Sequence, residues 1–496
     1  MASSGAALYD PFDEFRCFPV YFRAGVNTVL PLLDQIVVKR SYPMFDRVTE
    51  FKTLLKLALP MMGTQFFIMG MGFVDTAMAG HYSSLDLAGV ALGGIVLWPL
   101  FMGAAGILMA VTPMTAQLRG EGRQEEVGSL ARQGLWLGAI AGIVLCFILL
   151  ESAAIFLVFS VDAAAIEIAE EYLGAVIWGL PGAMLYVTLR YTCEGLGRTM
   201  FPMLIAGAAL IVNAILNYVF IYGKLGMPEM GGVGCGWATT ITMWFEFVAI
   251  VVLAQQAWFK EARIFAKFSP PRRSRMISIL TIGVPIGATM FLEMSFFSLI
   301  SLMIGSLGIV ALAAHTIAGN ISWATFVVPM ALGSAASIRV GYYVGARQFS
   351  QARAVAWLAV QVAVIYAIFA STLLLMTRNW LPQIYSGDLE VITLSATLLI
   401  VVALFQLFDS AQATLIGTLR GYKDTKVPLI ISIIGYWLVA LPLGAVIGYG
   451  LLGIGEGVVG FWIGLLLGLV LVAVLAAHRL KQTSIDGQRI QRLAAI

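Results

Sequence analysis

Apolar residues occur along this chain in long stretches of the length that crosses a lipid bilayer. A spanning helix needs about 20 mostly apolar residues to cover about 30 Å of hydrocarbon. Such stretches lie at 54–79, 87–112, 135–158, 168–189, 201–222 and 234–256, and again at 277–304, 310–336, 354–376, 391–417, 428–448 and 457–477. Barrel strands would alternate polar and apolar residues, and these segments do not. The pattern predicts an all-α integral membrane protein of twelve transmembrane helices.

Lys and Arg concentrate on the cytosolic side of membrane proteins. With both termini inside, the tails, loops and adjoining helix ends on that side hold 28 of the 30 basic residues, and only Lys224 and Arg378 fall outside. The even span count and the charge split support each other.

The chain also repeats itself. At an offset of 225, Pro60 falls on Pro285, Gly80 on Gly305, Gly94 on Gly319 and Gly120 on Gly345. At 226, Gly195, Thr199 and Pro202 fall on Gly421, Thr425 and Pro428. Chance aligns Leu with Val readily, but Gly and Pro mark backbone geometry. Gly232, Gly234 and Gly236 fall on Gly453, Gly455 and Gly457 at offset 221, which predicts an external loop five residues shorter in the second half. Two homologous six-helix lobes of equal orientation follow, related by a pseudo-twofold axis along the membrane normal.

The expected organisation is a cytosolic tail at 1–50, an N-lobe at 51–256, a basic cytosolic linker at 257–276, a C-lobe at 277–478 and a cytosolic C-terminal tail at 479–496. Residues 1–50 lack the charged, apolar and small-residue succession of a cleavable signal. Pro60 and Pro285 each interrupt the first helix of a lobe, where proline removes a backbone hydrogen bond and bends the helix. They are candidate hinges; packing of curved helices is the plainer alternative.

Composition agrees with this picture and excludes other classes. The chain is 60% hydrophobic and 11% charged with mean hydropathy +0.91, against roughly 25% charged residues in soluble domains. Its formal charge of +3 is modest. Four cysteines without CxxC or CxxH spacing and three histidines suggest neither a disulfide framework nor a metal cluster. No phosphate-binding GxxxxGK[ST] loop, HExxH or GxSxG occurs. Direct use of ATP, soluble enzyme chemistry, an organic cofactor and nucleic-acid binding are therefore not expected.

The chemistry lies in polar residues inside the spans. Asp75, Glu293 and Asp409 sit in apolar surroundings, where a charge costs at least roughly 2.5–3.5 kcal/mol on insertion scales. The spans hold almost no Lys or Arg to neutralise them. Such acids usually face a cavity and exchange a proton or hold a cation; the bland alternative is a protonated structural group. Asn213 and Asn217, four apart, share a helix face and serve equally as cation ligands or as interhelical glue. Glu246 lies inside the sixth span with no counterpart in the second half. Glu194, four after Arg190, forms a local pair, and Arg339 either pairs with an acid or reaches to the interface. Twenty-two Met and 29 Phe suit an adaptable pocket, though such residues more often face lipid.

The strings GFVDTAMAG, LNYVFIYGKLG, GGVGCGWATTI, SIRVG and LRGYKDT resemble those of the MATE (multidrug and toxic compound extrusion) transporters, in the bacterial NorM-type branch, from about Phe51 to His478. The resemblance implies a V-shaped pair of lobes around a central cavity. It implies export of small lipophilic organic cations in exchange for H+ or Na+, in a bacterial inner membrane, by a chain expected to act as a monomer. It further implies that Asp75 is the N-lobe acid beside Asn213 and Asn217, and that Glu293 and Asp409 are the C-lobe acids. Related chains can carry Tyr where this one has Phe405. A Na+ at Glu293 and Asp409 would lose an oxygen ligand there, so the reading leans to H+. A lipid-linked oligosaccharide flippase, which would favour a cavity rich in Lys and Arg, and an integral-membrane enzyme are the competing readings.

Overall fold

The computed structural model describes residues 46–151, 163–255, 262, 264–265, 268–451 and 456–495. The expected tail at 1–50 therefore lies almost wholly outside the described residues; the first helix begins at Arg47. Everything described below belongs to the compact unit Arg47–Ile496.

Twelve helices are long and apolar enough to cross a membrane, and no strand occurs among the described residues. In the first half they are α1 (Arg47–Tyr82), α2 (Ser84–Gly120), α3 (Gln124–Leu150), α4 (Ala163–Gly195), α5 (Met200–Ile221) and α6 (Gly232–Ala254). In the second half they are α7 (Arg273–Gly305), α8 (Ile309–Gly345), α9 (Phe349–Thr377), α10 (Leu389–Gly421), α11 (Lys426–Gly448) and α12 (Val458–Ile485). A short amphipathic α13 (Gly487–Ala494) follows. Large apolar side chains such as Phe73, Phe147 and Leu438 stay exposed, as lipid-facing residues of a spanning bundle should.

The repeat is visible in the backbone. α2 and α4 end in a left-handed residue at Gly122 and Gly197 (φ 77° and 76°), and α8 and α10 end likewise at Arg347 and Lys423 (φ 58° and 60°). These pairs stand 225 and 226 apart. Each turn carries the paired hydrogen bonds of a Schellman stop, for example Arg123 N to Leu118 O beside Gly122 N to Arg119 O, matched by Gln348 N to Tyr343 O beside Arg347 N to Val344 O. Glycine takes this conformation freely, whereas Arg347 and Lys423 each pay about 1–2 kcal/mol for it. The expected five-residue difference between external loops is not found. α6 and α12 begin 226 apart, each after a positive-φ glycine (Gly231, Gly457). The connecting loops, 222–231 and 449–457, differ by one residue; the shared GxGxG spacing had set the second stretch out of step.

Pro60 and Pro285 lie inside α1 and α7. In both, the threonine four residues on donates to the proline carbonyl: Thr64 at 3.0 Å and Thr289 at 2.8 Å. Such back-bonding bends helices. α7 changes partners at this point. Ile279, Ile282 and Ile286 pack into the core of the first half, while Phe296, Ile300 and Ile304 belong to that of the second.

The halves meet through small residues. A Cβ on Gly120 would run into the Tyr342 carbonyl, and one on Gly345 into the Gln117 carbonyl. Since Gln117 and Tyr342 are themselves 225 apart, the contact is reciprocal, as across a twofold axis. α2 and α7 approach as closely where Gly103 and Gly106 face Gly287. On the face where α1 begins (the terminal face), Arg339 of α8 binds Glu50 of α1 at 2.7 Å and Gln117 Nε2 donates to the Gly421 carbonyl at 3.3 Å. These joints lie between mid-membrane and the terminal face. The described part of the linker is strapped to α3: Gln133 donates to Pro270 O at 3.0 Å and accepts from Arg272 N at 2.6 Å, and Arg275 pairs with Glu126 at 2.9 Å.

Candidate functional site

Above these joints the halves enclose a cavity of about 470 Å³ lined by residues from both, within the range of small-molecule sites. Asp75, Glu293, Asp409 and Asn213 all line it. Eight methionines contribute to the wall, Met71, Met102, Met290 and Met330 among them, with Trp98, Phe297, Phe326 and Phe405. The aromatic and Met content expected only in general terms is thus concentrated here.

In the first half Asp75 projects from α1 toward α5 and α6. Asn217 Nδ2 donates to Asp75 Oδ1 at 2.6 Å and to Asn213 Oδ1 at 3.1 Å. Thr239 Oγ1 donates to Asp75 Oδ2 at 3.5 Å. Both asparagines are buried, and Asn217 Oδ1 has no partner. The four-residue spacing that put two amides on one face of α5 places both beside the acid, so glue and site coincide. Thr239 was not singled out in the sequence, where one hydroxyl among many apolar residues carries no signal.

In the second half Glu293 of α7 accepts from the Tyr436 hydroxyl at 3.2 Å. Tyr436 stands in a π-helical stretch, Ile433–Ala440, that interrupts α11, an insertion often found where a side chain must be re-aimed. Phe296 packs on Tyr436, ring centroids 5.2 Å apart. Asp409 on α10 accepts no hydrogen bond from the described residues and lies within electrostatic reach of Glu293. Phe405, one turn earlier, packs edge-on against Trp462 at 5.7 Å. No described group of three or more His, Cys, Asp or Glu could hold a metal ion.

Four further charged groups line the cavity. Arg190 pairs with Glu194 at 2.8 Å, as their spacing suggests, and its other arm donates to Gln65 at 3.1 Å. Glu246 of α6 lines the same wall with a buried oxygen that has no partner. Arg420, at the end of α10, lines the floor. Two arginines therefore reach a cavity that the spans had been expected to leave almost free of basic groups. Their positions near helix ends look cytosolic along the chain, but the cavity extends down to those ends. Five acids against two arginines still leave the lining acidic. None of Asp75, Glu293 and Asp409 forms an ion pair among the described residues.

The family model MatE matches residues 60–219 and 285–446, two stretches that open on Pro60 and Pro285. Among solved structures, the chain is similar to the eukaryotic MATE transporter AtDTX14, with 20% identity and a TM-score of 0.82 over 90% of this chain and 98% of that one. It is similar to VcmN of Vibrio cholerae in its bent form, with 17% identity and a TM-score of 0.78 over 90% and 99% of the two chains. A third similar structure is a transporter of the MOP superfamily from Pyrococcus furiosus, described by a binding pocket of reverse polarity; identity is 19% and the TM-score 0.76 over 90% and 96%.

Proposed function

Because the chain belongs to the MatE family and is a multi-pass membrane transporter, we propose that it is a secondary active exporter of small lipophilic organic cations, driven by inward H+ or Na+. One observation carries this reading: Asp75, Glu293 and Asp409 line a single Met- and aromatic-walled cavity between the halves, and none of them forms an ion pair among the described residues. An acid in such a place accepts one positive guest at a time, whether a proton, a sodium ion or an organic cation.

In the proposed cycle a lipophilic cation enters from the cytosol and settles against the ionised acids. Rocking of one half against the other, with α1 and α7 flexing at Pro60 and Pro285, exposes it outside. Protonation or Na+ binding at Asp75 or at Glu293 and Asp409 then removes the field that held the cation. A ligand drives such a change only through different affinities for the two states. One-for-one exchange of H+ or Na+ for a monovalent cation moves no net charge, so the ion's own concentration gradient drives it, a tenfold gradient supplying about 1.4 kcal/mol. Asn217 and Tyr436 hold the acids in place in this scheme. No organic cofactor takes part, and a monomer suffices because one chain encloses the cavity.

The charge split supports a cytosolic position for both termini, and the NorM-type resemblance suggests a bacterial inner membrane. A flippase for pyrophosphate-linked sugars would call for a net basic cavity, and the excess of acids disfavours it. Reconstitution into liposomes with separately imposed pH and Na+ gradients tests the proposal. Uptake of a fluorescent lipophilic cation against its gradient, driven by one of the two ions, is expected; no response to either would refute it.

A further inference from the structure

Arg420 closes α10 and lines the cavity floor. Its Nη1 lies 2.7 Å from the Met109 sulfur, a weak acceptor, and its buried Nε has no partner. It forms no ion pair among the described residues. A guanidinium offers five donors and does not give up its charge; here it is half-buried on the cavity wall, with Glu293 within electrostatic reach but no acid in contact.

The repeat sharpens the point. At offset 226 the equivalent of Arg420 is Glu194, which is neutralised by Arg190. The equivalent of Arg190 is Ile416. The acid of the first half thus has its cation in contact, while the cation of the second half has no acid in contact, only Glu293 within electrostatic reach. One guanidinium without a direct partner stands at the floor of the cavity that Asp75, Glu293 and Asp409 also line. Asp409 and Arg420 stand on the same helix eleven residues apart, about 16 Å along its axis at 1.5 Å per residue. Both line the same space.

We propose that Arg420 is a specificity-determining residue that holds a carboxylate borne by the substrate, so that the cavity takes molecules with an anionic group opposite their cationic one. The inference rests on the export reading given above. A planar guanidinium matches a carboxylate with two parallel hydrogen bonds, and Nε with a neighbouring Nη is one such edge. The acids elsewhere on the wall receive the cationic end, and the bound carboxylate gives Arg420 the direct partner that the fold does not.

The test uses two dyes differing in one group: rhodamine 110, with a free carboxylate, and rhodamine 123, its methyl ester. Binding to the full chain in nanodiscs is followed by fluorescence anisotropy. Arg420→Gln is expected to weaken rhodamine 110 by about tenfold or more and to leave rhodamine 123 within about twofold. Arg420→Lys, a point charge without the fork, is expected to fall between. It carries the test if Arg420→Gln does not give a monodisperse protein. Equal weakening of both dyes, or no change for rhodamine 110, overturns the inference while leaving the export reading intact. A wild-type protein that binds neither dye overturns both.

Discussion

Arg339 of α8 grips Glu50 of α1 with both arms of its guanidinium, Nε at 3.1 Å and Nη2 at 2.7 Å, while the Tyr343 hydroxyl donates to the same carboxylate. The pair joins the two halves at the terminal face, and Glu50 is buried. Removing one partner from a buried pair costs about 3–5 kcal/mol because the other charge is stranded. Glu50→Gln is therefore expected to loosen this face. Spin labels at Lys52 and Ser350 should then report a longer and broader distance distribution; an unchanged distribution would mean that the glycine contacts alone hold the halves.

Those contacts have their own test. Gly120 and Gly345 each face a carbonyl of the opposite half, and overpacking of this kind costs typically about 1–3 kcal/mol. Gly120→Val and Gly345→Val should lower thermal stability in detergent by similar amounts, because the geometry is reciprocal. Gly72 has open space around it, so Gly72→Ala should change little.

Asn217 is expected to matter for transport beyond its worth as glue, which averages about 0.6 kcal/mol between membrane helices. It donates to Asp75 at 2.6 Å, so Asn217→Ala should lower the transport rate and move its pH dependence with no matching fall in stability. Loss of stability alone would return Asn217 to a packing role.

Lys423 gives a pH-dependent prediction away from the cavity. It lies in the turn between α10 and α11 and donates to the Ala494 carbonyl at 3.0 Å. Burial pushes its amine down to about 8 from the usual 10.5, against the pull of Glu121. Below pH 8 both folded and unfolded chains are protonated and the folded state bears the full penalty. Between 8 and 10.5 the unfolded chain binds more protons, so stability rises with pH through that window. Lys423→Gly, which also suits the left-handed backbone, should raise the melting temperature at pH 7, and its advantage should shrink between pH 8 and 10.5. A constant difference across that range would contradict the assignment.

Much of this architecture is legible in the chain because membranes simplify the problem. Twenty apolar residues can do little else than span, and Gly and Pro keep the repeat visible where Leu and Val do not. Asp75, Glu293 and Asp409 could be picked out because charge in hydrocarbon is expensive wherever the helix points. Direction is what a linear pattern lacks. Arg420 sits beside the turn into α11 and reads along the chain as an interfacial residue, yet it lines the floor. Glu246 met the same cost criterion as Asp75 and was set lower for want of a counterpart in the second half, although Asp75, which falls on Ile300, has none either. The π-helical stretch that turns Tyr436 toward Glu293 has no sequence signature at all, since any apolar run can accommodate the extra residue.

The central claim is that protons or sodium ions and organic cations compete for the same acids. The most direct measurement is the affinity of the purified protein for a fluorescent lipophilic cation, titrated separately against H+ and Na+. The account predicts that affinity weakens as one of the two ions rises, and that this competition disappears when Asp75, Glu293 and Asp409 are replaced together by their amides. Binding that is indifferent to both ions in the wild-type protein would contradict it.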